Sequence, residues 1–148
     1  VFIPTHWAFD GFMSLPQFKG FYWPSLRKLL IGLIDHGLIP LVLWEGDCTS
    51  RLEVIADIPP GKAVYWFERT DLLRAKDVLG RIACLRGNVP SSMMTTGTPG
   101  EVDAFCRNLI EKVGKDGGFI LDGAIGIPDE AKTENVRALF KAVHRHGP

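Results

Sequence analysis

The sequence predicts an α/β protein with parallel strands arranged as a (β/α) barrel, on two observations. Strand-like and helix-like segments alternate five times along the chain, the pattern of consecutive βα units. The turns returning each helix to a strand are short, whereas the loops leaving each strand for a helix are longer and polar. That asymmetry fits a barrel, whose chemistry lies on the loops after the strands and whose returning turns serve stability. A doubly wound open sheet is the rival, and the chain has no GxGxxG turn or P-loop to favour it. The stretch from Arg81 to Asn135 carries the pattern most fully, as strand, polar loop, capped helix, tight turn, strand and second polar loop. Such a unit is a right-handed crossover between parallel strands.

In chain order, Val1 to Pro4 reads as the end of a strand, followed by a loop with His6, Trp7 and Asp10 that Gly11 turns. Ser14 and Gln17 form a capping box for a long helix with Phe18, Phe21, Leu26, Leu29, Leu30, Leu33 and Ile34 on its apolar stripe and Gly37 as its stop. Pro24 lacks an N–H and so kinks or divides that helix at Trp23. Ile39 to Trp44 is a continuous apolar strand, as suits one covered on both faces, and it opens into Glu45-Gly46-Asp47-Cys48-Thr49. A helix from about Ser50 to Ile55 turns Leu52 and Ile55 inward before Pro59-Pro60-Gly61. Ala63 to Phe67 is the third strand and Glu68 to Asp71 its loop. Asp71 or Thr70 caps a helix burying Leu72, Leu73, Ala75 and Leu79, which Gly80 closes. Ile82 to Leu85 is the fourth strand, stopped by Gly87-Asn88 and Pro90. Thr98, Pro99 and Glu101 then start a helix burying Val102, Phe105, Cys106, Leu109, Ile110 and Val113, and Gly117-Gly118 leads into the strand Phe119 to Leu121. The last helix begins near Thr133 and buries Val136, Leu139, Phe140 and Val143.

With 148 residues, 46% hydrophobic, 23% charged and a net charge of zero, the composition is that of one globular domain with a sizeable core. Basic and acidic residues interleave, so no nucleic-acid partner is implied. The apolar runs fall short of the roughly 18 residues a membrane span needs, and no signal-peptide pattern opens the chain, which points to the cytoplasm. The chain opens at Val1, already inside an apolar segment, as a cut chain would. Cys48, Cys84 and Cys106 are odd in number and contain no CxxC pair, against both a disulfide framework and a local thiolate zinc clamp.

The motifs GNVPSS, GTPGEV, DGGFIL and PDEAKTENVRAL, together with DGFMSLPQF before WPSLRKLL and with TDLLRAKDVLG, resemble the C-terminal part of the uroporphyrinogen decarboxylase family, which also includes corrinoid-dependent methyltransferases. The resemblance covers nearly the whole chain. It implies an eight-stranded (β/α) barrel of which this chain holds roughly the last five units.

Departures from the family pattern restrict the chemistry. In the zinc methyltransferase branch the resemblance implies a His-x-Cys pair after the strand ending at Trp44 and a Cys in the late loop; here those positions are Trp44, Gly46 and Ile125. None of the three donates a lone pair to zinc, so no metal or other cofactor is expected unless Cys48 and His6 rebuild the site. In the decarboxylase branch the late loop carries a His that Ile125 replaces, and the arginine-rich segment for substrate carboxylates belongs to the earlier part of the barrel.

The polar residues at the strand exits remain. Glu45, Asp47 and Glu68 are candidate catalytic groups, because carboxylates gathered in a low-dielectric cleft raise one another's pKa values and can exchange protons near neutrality. His6, Asp10, Arg69, Asn88 and Asp122 are candidate substrate contacts. For each of Glu45, Asp47 and Glu68 the plainer reading, a cap or surface charge, outweighs the catalytic one, whereas Gly87-Asn88 reads equally as a turn device and as a ligand contact. His144 and His146 are two apart on a helix, so they are a solvated helix end and not a metal pair. Trp7, Trp23, Trp44 and Trp66 read as core, above all Trp23 and Trp66, with a flat platform for a planar porphyrin precursor as the alternative. Ser91, Ser92, Thr95 and Thr96 have no lysine or arginine among them and read as loop and capping groups. Cys84 and Cys106 are read as buried and inert, leaving Cys48 as the thiol to test for reactivity.

Two functions from different classes follow. The first is part of a carboxy-lyase, or of a methyltransferase relative, in porphyrin-type chemistry, acting on a small molecule and inactive without the rest of its barrel. The second is a non-catalytic binding module. Five strands cannot close an eight-stranded barrel, so a homo-oligomer, or a separate chain supplying the missing N-terminal strands, is the expected partner.

Overall fold

The computed structural model describes residues 1–147. Five strands run parallel: β1 (Phe2–Thr5), β2 (Leu41–Trp44), β3 (Val64–Phe67), β4 (Cys84–Val89) and β5 (Phe119–Gly123). Their spatial order is β1-β2-β3-β4-β5, identical to their chain order. A doubly wound sheet reverses direction at a switch point, and this one never does. Right-handed crossovers between successive neighbours place every helix on one side, so the sheet is an arc of a (β/α) barrel.

Local chemistry sets the helices. Ser14 and Gln17 form the capping box of α1 (Leu15–Gln17), and the chain continues through a π-helical turn, Phe18–Tyr22, into α2 (Trp23–Asp35). The turn widens just before Pro24, where the Trp23 N–H bonds to Phe18 O, so the expected division of the helix takes the form of a π-turn. A 3-10 turn, Thr49–Arg51, leads into α3 (Leu52–Ile55); Asp71 caps α4 (Leu72–Leu79) by accepting from Leu73 and Arg74 N–H. α6 (Pro99–Lys112) opens on the Thr98/Glu101 capping box, and α7 (Thr133–His146) packs along it. None of the described helices is long and apolar enough to cross a membrane.

Alternation in the strands assigns the two faces. Val42, Trp44, Tyr65, Phe67 and Leu85 point to the helices and are fully buried, with Phe18, Leu30, Leu52 and Ile55 packed on them. Each such side chain contributes roughly 1.5–3 kcal/mol, so this sheet–helix layer is the main apolar core of the arc. A second cluster, Val89, Met94, Val102, Cys106 and Leu139, joins the end of β4 to α6 and α7. Phe2, Leu41, Val64, Cys84 and Ile120 alternate onto the opposite, inner face and stay exposed or half-buried.

Several expectations are corrected. β4 runs through Gly87-Asn88 instead of stopping there, because Asn88 pairs in register with Asp122. Ser91 to Thr96 form a short helix, α5, in which the Thr95 and Thr96 hydroxyls donate back to Ser92 O. Phe21, Leu29, Leu73, Phe140 and Val143 are exposed, not buried. Except for Leu73, these residues lie on α2, on α7 or in the π-turn, at the two ends of the arc. There each helix has a neighbour on one side only, so part of its apolar surface meets no partner among the described residues. Trp66 leaves the helix-side core because Tyr65 and Phe67 take that face, and Trp7 is exposed with φ 63°.

The polar edge of α6 gives the fold a pH response. Hydrogen bonds from Thr98 hold the Glu101 carboxyl below its ordinary value, His146 does the same for Asp103, and Arg107 for Glu111. Because these values are lowered in the folded state, the stabilisation is present above the ordinary carboxylate range, about pH 4. It is lost as pH falls through the lowered values. The urea midpoint is expected to drop between pH 6 and pH 3, and Glu101→Gln, which keeps the capping geometry but does not titrate, should flatten that drop. An unchanged midpoint would contradict the assignment. His146 is therefore partnered, at 3.1 Å from Asp103, and not simply solvated as its helix-end position suggests.

Candidate active site at the strand C-terminal ends

Parallel register gathers the polar loops at one end of the sheet. Glu45 and Asp47 follow β2, Glu68 and Arg69 follow β3, and Asn88 and Asp122 sit side by side at the ends of β4 and β5. His6 directly follows β1 and its Nδ1 lies 2.7 Å from Glu45 Oε2, both side chains reaching solvent. A histidine–carboxylate pair of this kind can hold and move a proton.

The remaining carboxylates each have a donor of their own. Glu68 Oε2 accepts the Gly46 N–H at 2.6 Å, tying the loop after β2 to that after β3. Asp47 Oδ1 accepts from the Thr49 N–H and hydroxyl at 2.9 and 2.5 Å, an Asx turn. Asp10 accepts from the Ser50 N–H at 3.0 Å and pairs with Arg51, which is 1% exposed. Asp10 and Asp47 Oδ1 thus serve loop geometry, while Glu45 faces His6 at the rim. Asn88 donates Nδ2–H to Thr70 O at 2.8 Å, and Thr70 Oγ1 accepts the Cys48 N–H, linking three strand exits through one buried threonine. Arg69, exposed, lines a cleft of about 560 Å³ with Asn88, Ser91, Ser92 and Phe105, between the exit of β3, α5 and α6.

Arg86 is a residue that the sequence reading missed. It lies on the inner face of β4, with Nε donating to Asp122 Oδ2 at 2.8 Å and its guanidinium carbon 3.9 Å from the centroid of Trp66. The alternation Cys84, Arg86, Asn88 carried the signal, but it is visible only once the strand is extended past Gly87.

The metal-ligand positions of the zinc branch do not fit zinc. Trp44 is buried in the helix-side core, Ile125 is exposed without a donor atom, and Gly46 has φ 69° with Phe9 packed so close that a Cβ there would fall 2.5 Å from the Phe9 Cβ. His6 and Cys48 do not rebuild the set, since the Cys48 thiol is buried beside Ala8 O and Glu45 O. Among the described residues no three His, Cys, Asp or Glu side chains are grouped to hold a metal. Burial, aided by the Asp47 charge, pushes the Cys48 thiol up to about 12, and burial does the same for Cys106. This corrects the expectation that Cys48 is the reactive thiol. Cys84, half-buried on the inner face, is expected to react first with a thiol reagent at pH 8, so Cys84→Ser should abolish the fast phase. Retention of a fast phase in that variant would overturn the ranking.

The family model described as "Uroporphyrinogen decarboxylase (URO-D)" matches residues 1–146. The uroporphyrinogen decarboxylase of Syntrophotalea carbinolica is 28% identical over 138 residues, covering 93% of this chain and 39% of its own length. That of Methylococcus capsulatus is 26% identical over 117 residues, covering 78% and 33%. A methyltransferase from Methanosarcina mazei superposes with a TM-score of 0.79 at 23% identity, over 97% of this chain and 41% of that one. At that identity the likeness shows the fold alone. The chain spans roughly two-fifths or less of each of these proteins.

Proposed function

Because this chain belongs to the uroporphyrinogen decarboxylase family, we propose that it supplies the late-strand wall of a decarboxylation site for a porphyrinogen-type or related carboxylated substrate, active only within a completed barrel. The observation carrying this reading is the 2.7 Å His6–Glu45 contact at the ends of β1 and β2. Loss of CO₂ breaks a C–C bond, leaves the electron pair on the substrate carbon and requires one proton there. A protonated His6, with Nδ1–H donated to Glu45, can deliver its other ring proton to that carbon while the carboxylate stabilises the charged ring.

The test is CO₂ release from uroporphyrinogen by this chain complemented with the N-terminal part of the Syntrophotalea carbinolica relative. His6→Ala and Glu45→Gln are each expected to lower kcat by about 10²–10⁴ with a smaller change in KM, and the chain alone to release no CO₂. A complemented His6→Ala variant at full rate would remove the reading. The methyltransferase alternative is disfavoured by the missing donors at Trp44, Gly46 and Ile125. A non-catalytic binding module is the second reading, favoured by the loop contacts that occupy Asp10, Asp47 and Glu68. In either case the exposed apolar residues Phe2 and Ile120 favour a partner over the inner face, a second copy or a chain carrying further strands.

A further inference from the structure

The guanidinium of Arg86 is fixed on two sides. One face lies on the Trp66 ring, whose Nε1–H is itself anchored on Gly123 O at 3.0 Å. One edge faces Asp122, with Nε and Nη2 both directed at Oδ2, at 2.8 and 2.5 Å, while Asp122 Oδ1 accepts the Gly123 N–H at 2.7 Å. Arginine–carboxylate pairs frequently use both carboxylate oxygens in a fork. Here a single oxygen takes both donors. Nη1 bonds to no described residue and is not among the enclosed unpartnered atoms, so it opens to water on the inner face. Stacking leaves little side-chain freedom to lose, which favours binding of a planar anion at the free edge. Asn88, two residues on and on the same face, directs one Nδ2–H to Thr70 O, leaving its side-chain carbonyl oxygen as an acceptor for a ring N–H.

We propose that Arg86 anchors a carboxylate of a ring-bearing polycarboxylate, with Trp66 as its backing and Asp122 as a competitor that weakens the contact. The choice of a carboxylate ligand rests on the decarboxylation reading above; the assignment of Arg86 does not depend on which chemistry follows. The incoming anion shares the guanidinium with Asp122 and is repelled by it, so removing that charge tightens binding, the opposite of what a purely structural pair would give.

The experiment is a titration of the 148-residue chain with benzene-1,2,4-tricarboxylate at low salt, read by tryptophan fluorescence and calorimetry. Wild type is expected to bind, Arg86→Gln to bind about tenfold more weakly or worse, Arg86→Lys nearly as weakly, and Asp122→Asn about threefold more tightly. Arg81→Gln, which removes an exposed arginine just before β4, at the opposite end of the sheet, should change affinity by less than about twofold. Should Arg86→Gln lose its fold by circular dichroism, the Arg86 Nε–H resonance of the wild type takes its place and must shift on titration. No binding by wild type, unchanged affinity in Arg86→Gln, or Asp122→Asn as weak as Arg86→Gln would each overturn the proposal. Probe binding with no CO₂ release from the complemented barrel would instead fail the decarboxylation reading and leave the anchor standing.

Discussion

Arg51→Met is expected to destabilise the chain by about 3–5 kcal/mol, because it strips one partner from a buried ion pair and leaves the other unsatisfied. The Arg51 side chain is 1% exposed, pairs with Asp10, donates from Nη2 to the carbonyls of Phe9 and Met13 at 3.0 and 2.5 Å, and lies 4.9 Å from the Phe18 ring centroid. One cation therefore fastens the whole loop after β1 to the turn after β2. Since His6 begins that loop, its contact with Glu45 should loosen with it. Urea denaturation reads the loss directly, and Asp10→Asn added to Arg51→Met should recover part of it by removing the stranded charge. A shift worth less than about 1 kcal/mol would show that the clamp is not structural.

Gly87→Ala should cost about 2–4 kcal/mol and disturb the Trp66 emission. Gly87 has φ 118°, a region that residues with a Cβ avoid, and an added Cβ would fall 2.5 Å from Phe67 O and 3.4 Å from Trp66 Cδ1. The clash is with Phe67 O, and the added Cβ would also touch the Trp66 indole, which reaches across β4 to Gly123 O. Gly32→Ala in α2 is the control: nothing lies within 4 Å of its Cβ, so the helix should gain about 0.5–1 kcal/mol. Equal urea midpoints for the two variants would refute the steric account.

What could be read from the sequence was whatever the chain settles within a few residues. Ser14 with Gln17, Thr98 with Glu101, and Asp71 bond to backbone two or three positions away, so their roles needed no tertiary knowledge. The polar residues at the strand exits fell at one end because parallel register puts them there. Arg86 and the face of Trp66 were hidden, since both follow from where β4 ends and from which neighbours claim the helix side, a decision made by Tyr65, Phe67 and Leu85 together. The exposed stripe of Phe140 and Val143 was misread for a related reason: helical spacing shows that a surface is apolar, not what covers it.

The strict succession of the strands also governs how the arc can form. Every ladder joins segments adjacent in the chain, β1 to β2 and so on to β5, and no strand waits for a distant one to arrive. Loop closure is therefore paid in small, similar steps, as in repeat proteins, where stability accumulates between neighbours and growth can proceed from either end. An arc assembled in this way grows like a ribbon during synthesis, each βα unit docking on the one already folded. Its two terminal edges are then the natural points at which strands can be added or lost without unmaking the rest.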